Sequence, residues 1–172
     1  MTRSLFEAAF AHNTWATLQV IDACTDLHAE QLGTSVPGTR GPILDTLRHI
    51  VEDDAFDLEI LTGVPAMSVE QMPLPELRDA TARIGAAWGA FLADPIDPDE
   101  MVREVDPGDG YERDAPIAFR LAGTLNHGTD HRSQICTALT TLGIDPPKID
   151  VMSYGIAVDR VFERWPEGEP KG

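Results

Sequence analysis

Cysteine is scarce in this chain: there are two among 172 residues, Cys24 and Cys136. No Cys-x-x-Cys occurs, which excludes a zinc knuckle and a disulfide framework. Each cysteine sits in an apolar helical pattern, so two buried thiols in a reducing compartment are expected. Positive charge is sparse too. Lys and Arg number 13 against 29 Asp and Glu, giving a formal net charge of −16 and a pI of about 4.4. Such a surface repels phosphate backbones and anionic membranes, so nucleic acid and membrane are not expected as partners. No apolar run reaches the ~18 residues of a membrane span. Met1 to Glu7 lead straight into an amphipathic pattern with no apolar leader region, so a cytoplasmic location is expected.

Several chemistries are also missing. No P-loop, Gly-x-Gly-x-x-Gly or Gly-x-Ser-x-Gly elbow occurs. No glutamate lies three residues before any histidine, which argues against a carboxylate di-iron bundle. His-Glu-x-x-His is absent as well, because Gly128 and Thr129 follow His127.

Amphipathic helices make up most of what is there. Residues from about 4 to 32 read as a first helix, with Leu5, Ala9, Ala16, Val20, Ala23 and Leu27 as its apolar stripe, His12 and Asn13 on the edges and Gly33 as a stop. A second helix spans about 42 to 61. Ile43, Leu47, Ile50, Val51, Leu58 and Leu61 form its face, and His49 lies on a shoulder with Phe56 and Ile60. Asp54 falls inside the apolar face, an unusual place for a charge. A third helix opens at Leu74-Pro75-Glu76 and carries Leu77, Thr81, Ile84, Trp88 and Phe91. The stretch around 100–113 reads as a small hairpin-like excursion, because Met101 to Val105 alternates and Asp106 to Gly110 is a turn signal. A fourth helix runs from near Pro116 to Leu142. A short last helix from about Tyr154 would carry Val158, Val161 and Trp165. The fold class predicted is all-α, a four-helix bundle with a long crossover connection. It forms one domain over residues 1–165, with a flexible tail at 166–172.

The fourth helix holds the chemistry. Ile117, Leu121, Leu125, Gly128, Ile135 and Leu139 form its buried face, and Arg120, Thr124, His127, His131 and Gln134 form a polar stripe along the border. His127 and His131 are four residues apart, so both imidazoles project from one face, one turn apart. A divalent ion such as zinc or nickel takes neutral imidazoles well, and three protein ligands leave positions open. The third ligand must come from His12, His28 or His49. Periodicity permits His49 without demanding it. Two ordinary hydrogen-bonded histidines are the competing reading. His28 reads as a surface residue and His12 as a satisfied polar group. Asn13 reads as a cleft-lining group or an inward amide bonded to a neighbouring helix. Asp53 lies one turn after His49 and reads as a solvated acid more readily than as a group holding a histidine ring. Arg132 reads as a salt-bridge partner of local acids such as Asp54.

Three segments in order resemble a known family, the DinB-like (damage-inducible) four-helix-bundle metalloenzymes. His12-Asn13-Thr14-Trp15-Ala16-Thr17 is similar to the family's Tyr-Asn-x-Trp-Ala-Asn segment. Thr46-Leu47-Arg48-His49-Ile50 is similar to its Leu-x-His segment. Asn126 to Ile135, followed by Leu142-Gly143-Ile144-Asp145-Pro146-Pro147, is similar to its His-x-x-His-His-Arg-Gly-Gln helix and Leu-Gly-x-x-Pro-Pro exit. The chain departs from the pattern at His12, Thr17, Asp130 and Ser133, and no proposed ligand is lost. The resemblance implies a metal site of His49, His127 and His131 and a homodimer. It also implies a thiol-dependent S-transferase or isomerase acting on a small electrophile, related to enzymes that use bacillithiol, mycothiol or glutathione. In such a site the ion lowers the pKa of a bound thiol or water and presents it as a nucleophile. A metal-dependent hydrolase fits the same ligands. A bundle that binds a metal or small molecule without turning it over is the alternative from another class.

Overall fold

The computed structural model describes residues 5–106 and 109–164. Helix α1 is Leu5–Ala23, α2 Ala29–Leu32, α3 Ile43–Thr62 and α4 Leu74–Phe91. Strands β1, Met101–Val105, and β2, Glu112–Pro116, precede α5, Ile117–Thr141, and α6, Val151–Ala157. The four long helices make an all-α bundle in which α1 packs on α4 and α5, and α3 packs on the same two. Helices α1 and α3 therefore lie on one diagonal and α4 and α5 on the other. The α1–α3 connection is the expected long crossover, and the α4–α5 connection, carrying the hairpin, crosses the other diagonal.

The core is one cluster that includes Phe10, Val20, Ile21, Leu47, Ile50, Leu77, Trp88, Leu121, Ile135 and Leu139. The expected faces of α3, α4 and α5 hold. On α1 the buried side is Phe10, Asn13, Ala16, Thr17, Val20 and Ile21. Of the apolar stripe expected there, Ala16 and Val20 are fully buried and Ala23 and Leu27 pack against the core, but Leu5 is 82% exposed and Ala9 only half-buried. Asn13 and Thr17 occupy the true centre, and a reading by hydrophobicity passes over polar residues. Helices α1 and α4 approach closely at Gly85, where a Cβ would stand 2.3 Å from Thr14 Cγ2.

Three boundaries differ from expectation. The first helix does not run through to residue 32. It tightens after Ile21 into short-range bonds, Cys24 N to Ile21 O and Thr25 N to Asp22 O, while Thr25 Oγ1 donates to Ile21 O at 3.3 Å. A new turn then opens at His28, whose N–H donates to Gln31 Oε1 at 2.9 Å. A threonine side chain hydrogen-bonding to nearby backbone competes with helix continuation. The last helix begins at Val151 instead of Tyr154, because Asp150 caps it by accepting from Met152 N and Ser153 N. It ends at Ala157, and the chain folds back so that Arg160 N and Val161 N both donate to Gly155 O. Val158 and Val161 therefore follow the helix, and Trp165 and the expected 166–172 tail lie outside the described residues.

The hairpin is antiparallel with Met101 opposite Pro116 and Val105 opposite Glu112, so its second strand runs directly into α5 and extends past the expected end at 113. Buried Arg120 ties it to α5, donating to Glu104 Oε2, Val102 O and Arg113 O. The turn signal at Pro107-Gly108 lies outside the described residues, although Asp106 N donates to Tyr111 O across it at 2.8 Å.

Candidate metal centre

Helices α3 and α5 pack side by side, and that contact brings His49 to His127 and His131. One nitrogen from each of the three rings lies within 4.8 Å of the others. His49 Nε2 and His127 Nε2 are 3.0 Å apart. The rings meet edge to face, with centroids 4.5–4.9 Å apart. All three side chains are half-buried, and the cluster opens to solvent at the α3–α5 seam.

The nitrogens on the outer sides of two rings have acceptors. His49 Nδ1 lies 3.3 Å from Asp53 Oδ1, one turn further along α3. His131 Nδ1 lies 3.3 Å from Gln134 Oε1, which also accepts from Arg40 N at 2.8 Å. Gln134 thereby joins the loop before α3 to the cluster. An Nδ1–H held by an acceptor leaves Nε2 with its lone pair free, the tautomer an ion requires.

Burial, then the positive charge of Arg40 and the other two rings, lowers His49 to a pKa of about 4. Burial also lowers His127, against the opposing pull of Asp53. The two imidazoles are therefore neutral at neutral pH, as ligands must be. Asp53 is raised by burial, with His127, Arg40 and His131 pulling the other way. The donor set, three imidazole nitrogens converging from two rigid helices, fits a borderline divalent ion with open positions. Further along the seam, Thr124 Oγ1 donates to Asp57 Oδ2 at 2.6 Å, so the polar stripe of α5 meets a line of acids on α3.

Behind the cluster the bundle is locked by a buried polar chain. Arg132 Nη1 donates to Asn13 Oδ1 at 2.7 Å and Thr17 Oγ1 at 3.1 Å, and Nη2 donates to Thr129 Oγ1. Asn13 Nδ2 donates to Asp54 Oδ2 at 3.2 Å. The expected Arg132–Asp54 salt bridge is therefore relayed through an amide. Burial pushes Asp54 up to a pKa of about 7, with Arg132 opposing, and lowers Arg132 to about 10.

A sequence model of the DinB family matches residues 1–160. The chain belongs to the DinB family. No curated protein matches it. In this DinB-family protein the structure brings together the three histidines singled out in the sequence and leaves the other two apart. His12 Nε2 is satisfied by Ile149 O at 2.8 Å, and His28 is exposed at the start of α2. Asn13 is the inward amide. Asp53 departs from expectation, since it contacts two rings of the cluster where a solvated acid was the better reading. The signal was its place four residues after His49, outweighed by the general exposure of carboxylates. Arg40 was missed, because nothing in a loop sequence says which helix the loop lies against. Cys24 is fully buried, and burial pushes its thiol up to about 12; Cys136 is only partly buried, short of the expectation.

A cavity of about 1440 Å³ lies elsewhere. It opens between α1, α5 and α6, lined in part by Leu5, His12, Arg132, Cys136, Val151 and Met152, on the other flank of α5 from the three histidines. Among the described residues, no helix is long and apolar enough to cross a membrane.

Proposed function

We propose that this DinB-family chain is a divalent-metal-dependent enzyme that transfers a low-molecular-weight thiol to a small electrophile, or isomerises a substrate through such a thiol. The observation that carries the proposal is the convergence of His49, His127 and His131 at a half-exposed seam between two rigid helices. These three residues would hold zinc or nickel. When bound, the ion supplies a Lewis acid that lowers the pKa of a thiol or water. The chain's own residues do the rest. Asp53 and Gln134 accept at the outer nitrogens and hold two rings in place. Arg40, anchored through its backbone by Gln134, carries a positive charge that acts on His49, Asp53 and His127. That charge suits a co-substrate bearing a carboxylate, as glutathione and bacillithiol do.

In the transfer, the thiol sulfur forms a bond to the electrophilic carbon, the leaving group departs with its electron pair, and the thiol proton passes to solvent. The test is to load the protein with zinc or nickel and offer bacillithiol, mycothiol or glutathione with an aryl halide. The S-conjugate and the released halide are then measured. Conjugate formation that disappears in His127→Ala supports the proposal. If all three thiols stay unconsumed with metal bound, it fails, and a hydrolase or a non-catalytic bundle takes its place. The separate cavity specifically favours the non-catalytic reading, because it gives the bundle room for a small molecule away from the histidines.

The proposal includes a homodimer. Leu5, Val151 and Met152 are exposed apolar residues at the rim of that cavity, an uncovered patch of the kind that marks association.

A further inference from the structure

Asp53 stands in an unfavourable place for a surface acid. Three carboxylates, Asp53, Asp54 and Asp57, lie within about one turn of α3, in a chain whose formal net charge is already −16. Asp53 and Asp57 each raise the proton affinity of Asp54, and Asp53 raises that of Asp57. The side chain of Asp53 is 39% exposed, so a rotamer pointing to water is open to it. Instead both oxygens turn to the histidines: Oδ1 is 3.3 Å from His49 Nδ1, and Oδ2 is 3.1 Å from His127 Nε2. The converging set is made of one nitrogen from each of the three rings, and Asp53 Oδ2 meets it at His127 Nε2.

We infer that Asp53 is a positioning residue of this centre, its carboxylate accepting at His49 Nδ1 so that this ring presents Nε2, while its second oxygen reaches His127 across the α3–α5 seam. The inference rests on the metal-site reading above and adds a residue outside the converging histidine set. Geometry supports it on two sides. Asp53 and His49 share one rigid helix at i and i+4, so their contact needs no loop to be ordered. The same carboxylate reaches across the seam to a ring on α5, which a purely local contact would not do. A carboxylate behind a metal-binding imidazole fixes its tautomer and ring orientation, and losing such a partner costs about 10–100-fold in metal affinity. The negative charge also partly offsets the cation that the three neutral ligands would leave uncompensated.

The experiment is a zinc competition titration against a chromophoric chelator on the full chain stripped of metal. It compares wild type, Asp53→Ala, Asp53→Asn and His127→Ala, with far-UV circular dichroism confirming helix content in each. Asp53→Ala is expected to bind zinc about 10–100-fold more weakly. Asp53→Asn keeps an oxygen acceptor for His49 Nδ1–H and is expected to recover most of that loss. A cobalt-loaded sample is expected to show a shifted visible spectrum in Asp53→Ala, because ring orientation changes the ligand field. If Asp53→Ala matches wild type in affinity and spectrum while His127→Ala loses binding, the positioning role is overturned and the histidine site stands. If wild type binds no zinc, both fall together.

Discussion

A Cβ added to Gly128 would stand 2.7 Å from Arg132 Nη1 and 2.7 Å from Asn13 Oδ1, the two atoms that form the central bond of the buried polar chain. The absence of a side chain at Gly128 therefore lets α1 and α5 close over a charged hydrogen bond. Glycine inside a helix ordinarily costs ~1 kcal/mol relative to alanine, so Gly128→Ala at an open site would stabilise. Here both atoms that would clash are held by partners, and broken buried networks cost more than propensity returns. Gly128→Ala is expected to destabilise the fold by roughly 1–3 kcal/mol in urea unfolding. A more stable variant would show that the guanidinium can move aside freely.

The same chain makes a pH prediction through Asp54. Burial raises its folded pKa to about 7, well above the usual carboxylate range. A group raised on folding binds its proton more tightly in the native state. The stability it contributes is complete below the unfolded pKa and is lost as pH rises through the folded one. Relative to Asp54→Asn, which stays neutral, wild type should therefore lose stability between about pH 4 and pH 7, by an amount on the order of a few kcal/mol, and run parallel above that window. Paired urea melts across pH 4.5–8 check this. A gap that widens in favour of wild type as pH rises would mean Arg132 dominates and Asp54 is ionised throughout.

The dimer can be tested at its proposed face. Light scattering coupled to gel filtration is expected to report twice the monomer mass for wild type. A Leu5→Glu/Met152→Glu pair, which places two charges on the apolar rim, should run as a monomer with unchanged helix content. A monomeric wild type removes the dimer from the proposal.

How much of this was legible in the sequence depends on what each residue needed as context. His127 and His131 were readable from helical spacing and His49 only from the three motif segments in order, and helices α3 and α5 then supply the contact. The faces of α3, α4 and α5 were readable because their buried residues are apolar and periodic. Helix α1 was readable only in part: Ala16 and Val20 are buried as its pattern says, but its centre also holds Asn13 and Thr17, whose partner Arg132 lies 115 and more residues away. The break before His28 and the cap at Asp150 turn on side chains bonding to local backbone, which hydrophobic periodicity does not see. Asp53 shows the same limit at the site: its spacing from His49 was visible, but that it faces His127 is a property of the packed helix pair alone.

Whether His49, His127 and His131 hold a divalent ion is reached directly by one measurement. Elemental analysis of purified, untagged protein, beside a His127→Ala/His131→Ala pair, gives metal content per chain. Near-stoichiometric zinc or nickel is expected in wild type, and its loss in a variant that keeps its helix content. A wild type that carries no metal, and takes up none when zinc or nickel is added, would contradict it.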